Sequence, residues 1–283
     1  GVSGEVAGDP DRAQFIAIRS TAMDSADLLY IADQQRLLAY KSGWVFDVIT
    51  GSNQLQSVVL VSGTDKMYLG QRNDIRAFGT HSAPALTTGV TPPSVPGGSV
   101  VTSGDCATPA DAIGNMATAR YQQIQYVRRD TISDDLIITD KLAHRVKRLN
   151  AAGTMSFYAG DGNDVLSLDL AGTAAGIRRP HGLAVDSVGN CFVADSDSQV
   201  VVKIAASDGM VTRVAGTGYG TPADGEAGDV GKWKKPYGLT MFMNDTSLVA
   251  TDWDGVCVRH IAVGVDAATT WLTTQAGLCG DPT

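Results

Sequence analysis

Pro180-His181-Gly182-Leu183-Ala184-Val185 recurs 56 positions later as Pro236-Tyr237-Gly238-Leu239-Thr240-Met241. The same punctuation follows each copy. Ala194-Asp195-Ser196-Asp197 in one answers to Ala250-Thr251-Asp252-Trp253-Asp254 in the other, and each unit then ends on Ala-Gly, Ala215-Gly216 and Ala276-Gly277. A repeat of this period constrains the fold more than any local signal. Each unit is too small to bury its own apolar face and needs stacked neighbours to do so. It also lets equivalent positions be compared across units for chemistry.

Five units can be laid against this frame. In the third, apolar runs cover Ile124 to Val127, Leu136 to Thr139, Arg145 to Leu149 and Met155 to Ala159. In the fourth they cover Leu183 to Val185, Cys191 to Ala194, Val200 to Ile204 and Val211 to Ala215, and in the fifth Leu239 to Phe242, Ser247 to Ala250, Val256 to Ile261 and Thr270 to Thr274. The runs are β-branched and bounded by Gly, Asn and Asp, which is strand chemistry, and no window sustains a helical period. Two earlier units, Phe15 to Gly51 and Val58 to about Gly89, lack the Pro-x-Gly phrase, and Gln71 stands where the others carry Asp. The stretch between units two and three holds Pro92-Pro93 and Pro96-Gly97-Gly98 and reads as a semi-stiff tether. The expected organisation is residues 1–87 for units one and two, 88–104 for the Pro/Gly/Ser-rich linker and 105–283 for units three to five. The expected fold is all-β: about five four-stranded antiparallel blades, as in a β-propeller, with two lobes of blade-like sheets as the alternative.

Units three to five resemble the NHL family. Its repeat reads Pro-x-Gly-apolar, Gly-Asn-apolar-apolar-x-Ala-Asp, a basic-apolar strand and Val-x-x-Val-Ala-Gly; Pro180 to Val185, Gly189-Asn190, Val193-Ala194-Asp195 and Val211 to Gly216 follow it. The segment Gly104-Asp105-Cys106-Ala107-Thr108-Pro109-Ala110-Asp111-Ala112 is similar to the family's spacer. The resemblance implies a β-propeller. In layout the chain also resembles the ectodomains of insect-stage surface antigens of trypanosomes, which implies a cell-surface setting.

The formal net charge of −8 argues against nucleic acid, whose binding depends on neutralising phosphates with Lys and Arg, and against a basic membrane-hugging surface. No apolar run approaches the ~20 residues of a membrane helix. No leader is visible at Gly1-Val2-Ser3-Gly4, so the chain reads as a soluble protein, a mature secreted one, or an ectodomain trimmed from its membrane anchor. Two features favour the secretory pathway and an extracellular or cell-surface location. The cysteines, Cys106, Cys191, Cys257 and Cys279, are even in number without metal-like spacing, and Asn244-Asp245-Thr246 is a glycosylation sequon. Four cysteines admit three pairings. Cys191–Cys257 and Cys106–Cys279 are expected, the first joining strands of adjacent units and the second joining two linkers.

Basic residues stand just before the first strand of four units: Arg12, Arg120, Arg179 and Lys235, with Arg178 and Lys234 adjacent in two of them. Such a set focuses positive potential that attracts a carboxylate, phosphate or sulfated glycan. The simpler reading is solvated side chains paired with Asp residues of neighbouring linkers. The repeated Asp33, Asp140, Asp195 and Asp252 read as acceptors for backbone N–H groups of the following turn. His81, His144, His181 and His260 fall at different repeat positions, so neither a metal set nor a cofactor is expected. Trp253 replaces Ser196 and Tyr237 replaces His181 at equivalent positions; Trp and Tyr are favoured interface anchors, and Trp253 could equally cap its own blade.

The expected ligand-binding set is therefore Arg12, Arg120, Arg178, Arg179, His181, Lys234, Lys235, Tyr237 and Trp253, with Asn244 glycosylated and no catalytic residue assigned. The expected function is a non-catalytic extracellular ectodomain that binds a ligand or protein partner, an anionic ligand being one reading. The alternative is a propeller lyase or lactonase with an axial metal.

Overall fold

The computed structural model describes residues 15–23, 27–41, 44–49, 54–60, 66–79, 100–104, 110–115, 118–217, 225–226, 231–242, 245–263 and 271–277. Apart from one three-residue 3-10 turn, Gly172–Ala174, all regular structure among these residues is β. The first sheet is β1 (Ile18–Met23), β2 (Leu29–Asp33), β3 (Arg36–Lys41) and β4 (Trp44–Ile49), and the second is β5 (Leu55–Leu60), β6 (Lys66–Gln71), β7 (Asp74–Gly79) and β8 (Val100–Gly104). A short β9 (Gly114–Asn115) adds to the edge of a third sheet of β10 (Ile124–Arg129), β11 (Leu136–Asp140), β12 (Arg145–Leu149) and β13 (Thr154–Ala159). The fourth holds β14 (Leu170–Ala171), β15 (Pro180–Val185), β16 (Cys191–Asp195), β17 (Val200–Ile204) and β18 (Met210–Ala215). The fifth holds β19 (Gly225–Glu226), β20 (Pro236–Phe242), β21 (Ser247–Asp252), β22 (Cys257–Ala262) and β23 (Trp271–Gly277).

The four main strands of each sheet form a meander, with β9, β14 and β19 added beside the last main strand, and the five sheets make the all-β fold of a five-bladed β-propeller. Strand β8 comes from within the stretch read as a tether. The chain divides into two compact units, Gly1–Val127 and Arg128–Thr283, passing from one to the other inside β10.

Packing within each unit explains the strand composition. In the first, Tyr30, Leu37, Leu55 and Leu69 form a core shared by the first two sheets. In the second, Phe192, Val201, Trp233, Leu248 and Ile261 do the same for blades four and five. Strands β11 and β16 are buried at every residue, because both of their faces are covered.

The repeated glycines have two distinct causes. Gly160, Gly216 and Gly277, which close the Ala-Gly punctuation, sit at φ 94°, 95° and 85°. A Cβ on them would lie under 3.0 Å from the carbonyl oxygens of His144, Gln199 and Val256. Gly182 is required by a close approach between strands. A Cβ there would lie under 3.0 Å from the Tyr237 carbonyl oxygen, where β15 meets β20. The Pro-x-Gly phrase is thus a bulged strand start: the register shifts between Pro180 and Leu183, and between Pro236 and Leu239. Proline fits there because a strand's first residue can spare its N–H.

Candidate ligand-binding face of blades four and five

The basic residues before the first strands are placed by their backbones. Asp195, at the end of β16, accepts from the backbone N–H of Arg178 (2.8 Å) and Arg179 (3.0 Å), and from the N–H and hydroxyl of Ser198 (3.2 and 2.9 Å). Asp252, at the end of β21, accepts from Lys234 (3.0 Å), Lys235 (2.7 Å) and Gly255 (3.2 Å). Asp33 does the same for Ile16 (2.9 Å) and Ala17 (2.6 Å). The Asp series is structural, as expected, but it binds the linker as well as the following turn. Asp140 forms a fully buried pair with Lys147 Nζ at 2.8 Å. Burial pushes the Asp195 carboxyl above its usual range, against the pull of its N–H donors.

A second tie runs from the residue just before the third strand to the next linker. Asn73 donates to the carbonyl oxygens of Tyr121 and Gln122, His144 Nδ1 to that of Arg178, and Gln199 Nε2 to that of Lys234 at 2.8 Å. Both ties use the backbone of the linker. The linker side chains are therefore left to meet other groups.

Several of those side chains are paired. Arg178 reaches Asp164 (3.2 Å) and the Asp197 carbonyl oxygen (3.2 Å), beside an open groove of about 430 Å³ lined by Asp164, Val165, Arg178 and Asp197. Arg179 lies 3.5 Å from Asp197 and 3.8 Å from Asp164; Lys235 lies 3.9 Å from Asp254. The expectation of pairing with Asp residues of neighbouring linkers holds for Arg178 and Arg179 at Asp164, whereas Asp197 and Asp254 lie in turns of the same blades. Pairs this exposed stabilise by well under ~1 kcal/mol.

His181 lies near these cations. Its side chain is 1% exposed, and neither ring nitrogen has a hydrogen-bond partner. Its pKa is pushed down to about 3, first by burial and then by the nearby cations Lys141, Lys235 and Arg179, so the ring is neutral across the physiological range. Lys141 opens the turn after β11 and forms no ion pair among the described residues. Its pKa is lowered by burial and by repulsion from Arg179 and Lys235. The His181 ring packs against Tyr237 (centroids 4.2 Å apart, 41° between planes), and Tyr237 packs against Trp253 (5.2 Å, 33°). Trp253 is 61% exposed. The result is a row of three rings beside three cations, with an unsatisfied neutral imidazole at its inner end.

Of the residues expected from sequence, Arg178, Arg179, His181, Lys234, Lys235, Tyr237 and Trp253 fall in the second unit. Lys234 contributes backbone ties on both of its sides. Arg120 belongs to the first unit and donates to the Ala119 carbonyl oxygen (2.8 Å). Arg12, Cys106, Asn244 and Cys279 lie outside the described residues. One pairing is corrected: Cys191 is a buried free thiol, so it is not joined to Cys257. Cys191 sits on the buried β16 beside Tyr158, and burial pushes its pKa up to about 12. Cys257 is disulfide-bonded, with its partner outside the described residues. Lys141 is the functional candidate that sequence reasoning missed. It stands directly after Asp140, as Ser196 follows Asp195 and Trp253 follows Asp252. Extending the Ser196–Trp253 comparison to the third unit would have found it.

Among the described residues no group of three or more His, Cys, Asp or Glu side chains is placed to hold a metal, so the axial metal of the lyase alternative finds no fit there. No helix among them is long and apolar enough to cross a membrane.

No protein-family model and no curated protein matches this chain. Solved structures do. An auxiliary nutrient binding protein from Bacteroides ovatus aligns with a TM-score of 0.65 at 13% identity, covering 93% of this chain and 60% of that one. A luciferin-regenerating enzyme aligns at 0.62 and 11% identity, covering 99% and 81%. A virginiamycin B lyase from Staphylococcus aureus aligns at 0.53 and 12% identity, covering 92% and 71%. At such identities the likeness is one of fold, and that fold is the β-propeller.

Proposed function

We propose that this chain is a non-catalytic recognition domain that binds an anionic ligand on the face formed by Lys141, Arg179, His181, Lys235, Tyr237 and Trp253. The observation that carries the reading is the convergence of three cations from separate segments, Lys141, Arg179 and Lys235, beside His181. A nutrient-binding protein among the similar folds supports a binding role. The disulfide at Cys257 and the sequon at Asn244 support an extracellular or cell-surface location, and the net charge of −8 supports a partner other than nucleic acid. The Pro-x-Gly bulges and Ala-Gly closures of blades four and five support an NHL-type repeat.

Calorimetric titration with citrate tests the reading. Binding is expected to weaken about tenfold or more in the Arg179→Gln/Lys235→Gln double variant, and to weaken with added salt as exposed charges are screened. The double variant should fold, because the Asp195 and Asp252 ties use backbone N–H groups that substitution leaves in place. Equal citrate affinity in parent and variant, or none in the parent, sinks the proposal. The rival reading is a lyase or lactonase, favoured by the lyase among the similar folds. Stoichiometric zinc or calcium in the purified protein would select it.

A further inference from the structure

We infer that Cys257 is joined to Cys279, and that this disulfide staples the last strand of blade five beside the turn that carries Trp253. The inference stands apart from the ligand-binding reading. It leaves Cys106 as a thiol.

Elimination comes first. The chain has four cysteines, Cys257 is disulfide-bonded, and Cys191 is a buried free thiol. The partner of Cys257 is therefore Cys106 or Cys279.

The repeat decides between them. Cys257 opens β22 and stands opposite Gly277 of β23, as Val258 stands opposite Ala276. A Cβ on Gly277 would lie 3.0 Å from Cys257 Cα and 3.2 Å from its Cβ. Cys279 follows Gly277 by two residues, and two residues of extended chain span at most ~7 Å. A disulfide needs Cα atoms about 4.4–6.8 Å apart, so Cys279 is within reach.

Blade three shows where the corresponding side chain points. Arg145 opens β12 as Cys257 opens β22, and a Cβ on Gly160 would lie 2.9 Å from Arg145 Cα, much as Gly277 meets Cys257. Two residues past Gly160 comes Gly162. A Cβ there would lie 2.7 Å from a guanidinium nitrogen of Arg145. The first side chain of the third strand is thus aimed at the position two past the Ala-Gly closure. In blade five those two positions hold Cys257 and Cys279.

Cys106 fails the same comparison. It stands two past Gly104, the closing residue of β8 in blade two. The residue opposite Gly104 is Asp74, whose carboxylate accepts from Arg76 Nε at 3.2 Å. The position that corresponds to Cys257 in blade two is an aspartate, not a thiol.

The bond forms by thiol–disulfide exchange. The Cys257 and Cys279 thiols give up two protons and two electrons to a disulfide oxidant, which leaves as two thiols. The secretory pathway and the extracellular space maintain such oxidants. Cys191 takes no part, since burial pushes its pKa up to about 12 and withholds the thiolate. The bond closes a loop of ~20 residues across β22 and β23 and restricts the unfolded chain by that much. Cys257 directly follows the turn from Trp253 to Val256, so the bond also fixes one foot of that turn.

Peptide mapping of the intact chain, produced through an oxidising compartment, tests the pairing. Free thiols are alkylated under denaturing conditions and the chain is digested without reductant; trypsin cuts at Arg259, between the two cysteines. The Cys257 and Cys279 peptides are expected to be joined, with Cys106 and Cys191 alkylated. A Cys257–Cys106 link, or alkylation of all four, overturns the inference. The thermal midpoint gives a second reading. Cys257→Ser, Cys279→Ser and the double variant are each expected to lower it by about 5–10 °C, while Cys106→Ser leaves it within about 2 °C. A drop of that size in Cys106→Ser, with none in Cys279→Ser, overturns it as well.

Discussion

Blades four and five share their frame and differ in the side chains it carries. Pro180 and Pro236 open the same bulge, and Asp195 and Asp252 take the same pair of linker N–H groups. The Ser196 and Trp253 backbone N–H groups bond equivalent carbonyl oxygens, those of Arg179 (3.1 Å) and Lys235 (2.8 Å). The side chains on this frame diverge. Buried His181 faces half-buried Tyr237, buried Ser196 corresponds to exposed Trp253, and buried Gln199 corresponds to exposed Val256. The repeat is held together by backbone bonds at a few anchors. Positions between the anchors can therefore vary in side chain without loss of the blade, and the candidate site lies on them.

The strongest way to break this comparison is to remove an anchor. Asp195→Asn keeps one acceptor oxygen and turns the other into an NH2 that faces donors. A loss of about 3 kcal/mol is expected, from charge-assisted bonds broken and buried N–H groups left unmet, read from urea denaturation. Asp252→Asn should act alike in blade five. A loss under about 1 kcal/mol in both would mean that apolar packing, not these bonds, holds the linkers.

A smaller effect should separate the two blades by pH. Unfolded, His181 titrates near its ordinary pKa of ~6.5; folded, it stays neutral down to about 3. Between these values the unfolded chain binds the extra proton. The folded state therefore loses stability as pH falls through this window, at up to about 1.4 kcal/mol per pH unit. His181→Phe keeps a ring against Tyr237 and removes the titration. Its stability advantage over the parent should grow by about 2 kcal/mol between pH 7 and pH 5, whatever its offset at neutral pH. Parallel stability curves for parent and variant would show that His181 is solvated or paired in solution.

Much of this was legible in the sequence, for a physical reason. In units three to five the β-branched runs and their Asp and Gly boundaries match the observed strands closely, because both faces of each blade must be apolar and the anchors recur. The strand starts at Pro180 and Pro236 were placed three residues late, since Pro-x-Gly reads as a turn until Tyr237 is known to lie against Gly182. The two-residue strands β9, β14 and β19 carry too few side chains to show a period. The cysteine pairing failed because placing Cys191 and Cys257 on adjacent blades does not fix their distance, and Cys191 is buried within its own sheet as a free thiol. His181 was chosen for its place beside the basic residues; that its nitrogens have no partner is a property of packing that no spacing reveals.

The smallest expected effect sharpens the comparison most locally. The residue before the third strand is left-handed in blades three, four and five: His144 at φ 55°, Gln199 at 57° and Val256 at 54°. The first two use polar side chains to tie the next linker, to Arg178 and Lys234. Val256 has no such group, and its branched Cβ makes this conformation costly, on the order of 1–3 kcal/mol. Its side chain is 58% exposed, so little burial offsets that strain. Val256→Asn, which tolerates the left-handed region, should therefore raise stability by about 1 kcal/mol, seen as a thermal midpoint about 2–4 °C higher. The same substitution at Gln199 should destabilise instead, because the shorter side chain no longer reaches the Lys234 carbonyl oxygen. If both substitutions shift the midpoint the same way, the turn is governed by backbone preference alone and the tie in blade four contributes nothing.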